Sequence, residues 1–493
     1  MALFVGGWVL TNPTGAIAGL SKALTLAIAF VALTNPRLGL MLLVPQVIYT
    51  DEIKRIAVSY GALSYTTIYE VLLAPIITIG CLNAGYFAAV AFGRVRLTKG
   101  WVIFYGVILV LSGLIFATAE GSLPNRTQLV LNTALYMTLI PLLAAYFDDA
   151  EKVGKFLMSQ VWWALPSALW GIQQYYFGLN RLELDYARTG LSSTHYAQVF
   201  GARDPRPFGL FGSNSGYSCV GILGILSLLY LMTREKAKAV HFLLFALYAW
   251  AIFASKQRTI LLIVPLAFVA AWFFRSRFFT KVFYGMAILA FLLAVVFSEQ
   301  LLNTGLAKIN QSISADSKWG REVLTVSTFS DRLRGWARLK KASTYSVFGT
   351  KEASFTLRGK TDITAKNYNH DVINKILIET GVVGLLVTFL VGFYCLYRMH
   401  GLVYKIEDKS VRKETSVLLA TLFMIVGLSL TAGSILSTNP VNLLIWSIAG
   451  AFLVIARAHL KEVSMAAEAL PAESAMPPVR NLTQARFPAL SAR

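Results

Sequence analysis

YNHDVINKILIETGVVG, Tyr368 to Gly384, is the point where a polar segment turns into a membrane helix. Asn369 and Asp371 are residue types that cap helix N-termini, and they stand just before an apolar run, Val372 to Leu396, long enough to cross a bilayer. His370 is thereby placed at the positive dipole end of that helix, which favours the neutral imidazole. A neutral histidine can take a proton from a hydroxyl near neutral pH, the task of a general base. The plainer alternative is a histidine that only caps the helix at headgroup level.

Working back from this stretch, about seventy polar and basic residues, Glu299 to His370, lie between two long apolar runs. Loops on rigid scaffolds collect binding and catalytic groups, so this one is the first place to look for function. Within it, FSDRLRGWARLKKA (Phe329 to Ala342) sets Leu333, Trp336 and Leu339 at three-residue spacing among Arg332, Arg334, Arg338, Lys340 and Lys341. That spacing predicts an amphipathic helix on the membrane surface, its cations turned to headgroups or to an anionic substrate.

Composition fixes the class. Of 493 residues 56% are hydrophobic and 14% charged, and the mean hydropathy is +0.60, so the sequence reads as an all-α polytopic membrane helix bundle. Cys81, Cys219 and Cys395 fall in separate apolar runs, which suggests neither a disulfide framework nor a thiolate metal site. The first apolar run has no basic region before it and no cleavage pattern after it, and reads as a retained span. The formal charge of +20 includes the long loop, and a cationic surface beside a bilayer implies anionic partners there, membrane lipids or a lipid-linked phosphate. Nucleic acid is a poor partner, because the cations form no compact soluble module.

Apolar runs long enough to span occur at about 65 to 92, 101 to 118, 127 to 147, 156 to 177, 216 to 232, 241 to 254, 259 to 275, 282 to 298, 372 to 396, 415 to 434 and 440 to 457. Residues 15 to 49 add one full span and a short run split by Asn35, Pro36 and Arg37. The expected total is about twelve spans, thirteen if that short run also crosses. Four units result: an N-terminal bundle (1–298), a periplasmic catalytic loop (299–371), C-terminal membrane helices (372–459) and a disordered cytoplasmic tail rich in Ala and Pro (460–493).

The short basic connections, Arg94–Gly100, Arg234–Lys238, Arg275–Lys281 and Arg398–Lys413, belong in the cytoplasm by charge bias. Alternation then puts 50 to 64, 119 to 126, 178 to 215, 255 to 258, 299 to 371 and 435 to 439 together on the other side. On that side DPRPFGLFGSNSGYS (Asp204 to Ser218) has Pro207 stiffening the chain after Arg206, and Gly209 and Gly212 that let backbone amides approach a ligand. Arg258 sits with Lys256 in a connection of a few residues, against the charge bias. Headgroup anchoring accounts for Lys256, whereas an Arg fork matches phosphate oxygens bidentately. His195 is a reserve candidate, and the intramembrane acids Glu70 and Glu379 are functional or structural on equal terms.

RPFGLFGSNS (Arg206 to Ser215), the Arg258 connection, DRLRGWARLKKA leading to VFGT (Val347 to Thr350) and NHDVINKILIETGVVG (Asn369 to Gly384) together resemble the O-antigen ligase and O-antigen or exopolysaccharide polymerase superfamily of bacterial envelope glycan assembly. The resemblance implies an undecaprenyl-diphosphate-linked glycan donor, a glycan or lipid A core acceptor, and transfer on the periplasmic face of the inner membrane without metal or cofactor. It implies His370 as catalytic base and Arg206, Arg258 and Arg332 on the diphosphate, with Arg334, Asn369 and Asp371 as secondary candidates and a possible chain-length regulator as partner. Asp371 departs from the Asn that many relatives carry after the histidine.

Two rivals come from other classes. Asp51 and Glu52 could hold a divalent cation for a metal-dependent transferase; against this, Lys54 and Arg55 follow, and DEIKR reads as a solvated helix face. A lipid-linked glycan flippase would place its binding groups near the midplane on broken helices, often in repeated halves. This sequence shows no internal repeat, and no Walker loop for ATP-driven transport.

Overall fold

The computed structural model describes residues 13–59, 65–118, 134–188, 207–211, 214–234, 238–255, 258–297, 372–429 and 441–469, with isolated positions between them. Fourteen α-helices and one 3-10 turn (Leu135–Thr138) account for nearly all of these residues, and no strand occurs among them. In chain order the helices are α1 (Pro13–Thr34), α2 (Pro36–Ser59), α3 (Tyr65–Ala91), α4 (Lys99–Thr118), α5 (Leu139–Tyr146), α6 (Ala150–Phe177), α7 (Arg181–Arg188), α8 (Asn214–Arg234), α9 (Ala239–Ala254), α10 (Arg258–Phe273), α11 (Arg277–Val296), α12 (Val372–Lys405), α13 (Lys409–Ser429) and α14 (Val441–Ala469).

Six stretches are long and apolar enough to cross a membrane: Gly15–Thr34, Leu73–Ala91, Lys99–Ala117, Gly216–Arg234, Gly381–Lys405 and Asn442–Leu460. The chain is thus all-α, with helices of membrane-crossing type. Helices suit that setting because each satisfies its own backbone polar groups where no water can. Leu135–Tyr146, Ala239–Ala254 and Val264–Phe273 are apolar but shorter.

The hairpin α1–α2 departs from expectation. The sequence suggested a short apolar run followed by an outer loop over 50–64, yet α2 continues from Pro36 to Ser59 with DEIKR inside it. Its start is local chemistry: Asn35 Oδ1 accepts from the Leu38 amide at 3.2 Å, and Pro36 supplies a helix-ready φ at the first position. Gly39 closes the hairpin, since a Cβ there would lie 2.6 Å from the Ala32 Cα. Glu52 and Arg55 pair at i,i+3 and keep the last turns helical.

Helix α8 is the axle. Of its apolar window 81% is buried, and it packs against α6, α9, α10, α13 and α14. Small residues make this possible: a Cβ on Gly221 would come 2.7 Å from Ile252 Cγ1, and one on Gly224 2.5 Å from Tyr248 Cδ1, both on α9. Between apolar helices in lipid, such close backbone approach and interhelical hydrogen bonds replace the hydrophobic drive. One such bond runs from Asn83 Nδ2 to Thr138 Oγ1 at 2.8 Å, and Tyr105 Oη donates to Asn83 Oδ1 at 3.2 Å. By contrast α4 and α12 show long apolar faces to the outside, including Leu109, Val110, Leu386 and Leu390.

The ends of the bundle group as alternation requires. At one end of α2, Arg37 Nε donates to the Tyr146 carbonyl at 2.7 Å and its guanidinium lies 3.6 Å from Asp148. At the other end Arg55 meets the carbonyls of Gly209 and Phe211, so the segments 50–64 and 178–215, expected on one side, do come together. Eighteen residues of α-helix between these two arginines span about 27 Å, close to the hydrocarbon thickness of a bilayer.

Candidate functional site

The head of α8 is built by a turn, Pro207–Phe211, that almost entirely leaves water: Phe208 and Phe211 are fully buried. A buried turn must find partners for its backbone groups inside the protein, and four elements supply them. From α6, Gln174 Oε1 accepts the amides of Phe208 and Gly209, each at 2.9 Å, and Ser167 Oγ accepts that of Leu210 at 3.0 Å. From α2, Arg55 donates Nη1 to the Gly209 carbonyl at 2.9 Å and Nη2 to the Phe211 carbonyl. Tyr217, in the first turns of α8, donates to the Ala168 carbonyl at 3.2 Å and closes the turn from the other side.

Gly209 has to be glycine. Its φ is +58°, and a Cβ would lie 2.6 Å from both Ser167 Oγ and Tyr217 Cδ2 and 2.8 Å from the Ser167 carbonyl. The sequence singled out this glycine as one that lets backbone approach a ligand; what approaches it is helix α6.

The charge at the centre of the network is Arg55, of which 1% remains exposed. A guanidinium this buried is tolerated only with anionic and hydrogen-bonding company. Glu52 Oε2 lies 2.9 Å and Glu183 Oε1 3.9 Å from Nη1, and the Phe208 ring lies beneath the guanidinium carbon at 4.5 Å. Glu183 is itself 2% exposed and accepts from Trp170 Nε1 at 2.7 Å, from Gln174 Nε2, and from the Asn180 amide at 2.7 Å. Asn180 Oδ1 accepts the Glu183 amide in return at 2.9 Å, the reciprocal box that starts α7.

The reading of DEIKR as a solvated face is therefore corrected. Arg55 lies inside the protein because α2 packs with α6 and α7 at this end, and Glu52, weighed with Asp51 as a cation site, holds Arg55. Composition could not show this, because the partners of Arg55 are more than a hundred residues away. The one sequence signal was the buried-turn composition of PFGLF, which leaves backbone carbonyls needing donors.

A second feature marks the helix that follows the long loop. Within α12, Gly381 takes φ +70° and ψ −170°, which breaks the helix into 372–380 and 382–405. The break leaves the Val383 amide at the start of the second piece, and it donates to the Val347 carbonyl at 3.2 Å. Two separate stretches quoted above, VFGT and ETGVVG, are thereby brought into contact.

The expected site residues divide plainly. His370, Asn369, Asp371, Arg206, Arg332 and Arg334 lie outside the described residues, as do His195 and Lys256. Arg258 opens α10, three residues after Ser255, while its side chain and those of Asp51, Glu70 and Glu379 are outside the description. Pro207, the residue after Arg206, is inside it and belongs to the clamped turn. His400, assigned to the far end, bonds Tyr284 Oη through Nε2 at 2.9 Å, away from this turn. The chain matches no family model, no curated protein and no solved structure.

Proposed function

We propose that the protein is a metal-independent, inverting glycosyltransferase of about twelve spans in the bacterial inner membrane, acting on its periplasmic face. It transfers a glycan from an undecaprenyl-diphosphate carrier to an acceptor hydroxyl, and polymerises an O-antigen or exopolysaccharide. The observation that supports this most is the clamped turn: the stretch that carries Arg206 in sequence continues into a rigid, buried structure at the head of the central helix. A turn of that construction suits the task of presenting a cation to a ligand at a fixed place, and fixed cations are what a departing diphosphate needs.

In this reading a ring nitrogen of His370 takes the proton from the acceptor hydroxyl as that oxygen attacks the anomeric carbon. The bond from that carbon to the diphosphate oxygen breaks, and its electron pair leaves with the diphosphate. Arg206, Arg258 and Arg332 neutralise the charge that gathers there. Attack opposite the leaving group inverts the carbon. Fixed guanidinium groups in a site of restricted water supply what a divalent ion supplies in other transferases.

The test is His370→Ala in purified full-length protein given lipid-linked repeat alone, then with lipid A core added. Transfer should fall about 10²- to 10⁴-fold with donor binding retained, while His195→Ala keeps its activity. Product only on addition of core would turn the reading to a ligase. Translocation of the lipid-linked glycan without a new glycosidic bond would replace it with a flippase.

A further inference from the structure

We propose that Arg55 is a positioning residue: through Glu183 and the turn Pro207–Phe211 it fixes the point from which Arg206 is delivered, and so sets affinity for a diphosphate. The proposal rests on the functional reading above for its ligand, and on the described geometry for its mechanism.

Arg55 is poorly placed to bind an anion itself. Both of its terminal nitrogens are engaged with turn carbonyls, two carboxylates lie within 4 Å of Nη1, and its side chain is sealed from solvent. Its charge is neutralised inside the protein. What it does hold is the backbone on the far side of Gly209, while Gln174 holds the amides on the near side. The two grips share a member, because Gln174 Nε2 and Arg55 Nη1 both face Glu183 Oε1. Turn and network are therefore one unit. Consecutive Cα atoms across a trans peptide are about 3.8 Å apart, so a fixed Pro207 confines the Cα of Arg206 to a shell of that radius. Loosening the turn by an ångström moves the base of a long side chain whose tip must match phosphate oxygens, and misplacement on that scale is felt in binding and catalysis.

The sign of one substitution separates this from direct binding. Glu183→Gln keeps the size of the side chain and removes a negative charge next to Arg55. If Arg55 touched the anion, removing that charge would leave the arginine more positive toward the ligand and tighten binding. If Arg55 acts through the turn, the same change weakens the clamp and binding falls.

The experiment uses full-length protein in nanodiscs of phosphatidylethanolamine and phosphatidylglycerol, with undecaprenyl diphosphate as the probe. A thiol introduced by Leu210→Cys reports on the turn by its rate of maleimide modification. We expect Glu183→Gln and Arg55→Met each to weaken probe binding about tenfold, the loss of roughly one charge-assisted contact. Both should speed thiol modification at least as much. Arg55→Lys should recover part of each, since a lysine restores charge without the two-pronged grip. Phe208→Leu, which leaves the ion pair intact, gives a smaller change of the same sign and serves if Arg55→Met does not fold. Tighter or unchanged binding in Glu183→Gln overturns the proposal, as does an unchanged thiol rate in every variant. Wild-type protein that fails to distinguish undecaprenyl diphosphate from the phospholipid background overturns the diphosphate reading instead, and the thiol rates then still decide whether Arg55 clamps the turn.

Discussion

Replacing Gly209 by alanine is the most direct perturbation of the clamped turn, and its size can be worked out. An L-residue in the left-handed region costs about 1–2 kcal/mol. A Cβ at 2.6 Å from Ser167 Oγ and Tyr217 Cδ2, and 2.8 Å from the Ser167 carbonyl, adds overpacking of about 1–3 kcal/mol. The clash with a backbone carbonyl cannot be relieved by rotating a side chain. A shifted Ser167 hydroxyl would also lose the Leu210 amide, worth about 1 kcal/mol. Gly209→Ala should thus destabilise the bundle by about 3–5 kcal/mol, near the upper end for single substitutions. Gly93→Ala is the matched control. Gly93 has φ +70° and ends α3 with its amide on the Val90 carbonyl and that of Arg94 on the Ala89 carbonyl, but a Cβ there would meet nothing within 4 Å. Its loss should be about 1–2 kcal/mol, the backbone preference alone. Equilibrium unfolding of both variants in mixed micelles with increasing dodecyl sulfate measures the difference. Equal losses would mean that the turn is not packed against Ser167 and Tyr217, and the account of how the site is held would fail with it.

Three further outcomes follow from other parts of the molecule. Gly381→Ala, at φ +70° and ψ −170°, asks an L-residue to hold a conformation reached almost only by glycine, which costs on the order of 1–3 kcal/mol. The variant should still insert, with transfer reduced more than donor binding as the contact between Val383 and Val347 is lost; full transfer activity would show that the break has no functional part. Asp149 caps α6, accepting the Lys152 amide at 2.6 Å, and that bond, with the Lys152 ammonium assisting, holds its carboxyl below the usual range. Because the folded value is the lower one, its stabilisation is complete above the ordinary carboxylate pKa and fades as pH falls through the folded value. Asp149→Ala should lose about 1 kcal/mol at pH 7 and almost none in strong acid, as read from unfolding curves across that window. Cysteines introduced at Gly320 and Ser474 should react oppositely with an impermeant reagent in intact cells, and labelling of both would refute the arrangement of the long loop and the tail on opposite sides.

Much of the helical plan was legible in the sequence because its causes are local. A run of apolar residues must become a helix where no water can satisfy its backbone, and the start of α12 at Val372 falls where the apolar run begins. Asn35 and Pro36 announce the start of α2 by capping and by a fixed φ, and Gly209 could be flagged as a special backbone position from its setting between Pro207 and Gly212. The extent of α2 was less legible. DEIKR is polar enough to look like loop, and only its packing against α6 and α7 keeps it helical and drawn inside.

The sequence by itself determined the all-α class, the apolar helices and the pairing of chain segments by side, since each depends on hydrophobicity and charge counted along the chain. The tertiary structure alone decided that Arg55 is buried, that Glu183 is its partner, and that both serve a carbonyl 154 residues away. A charged residue looks the same in sequence whether it faces water or a carboxylate. Which it meets is set by the helix ends that converge around it, and that convergence depends on packing between elements far apart in the chain.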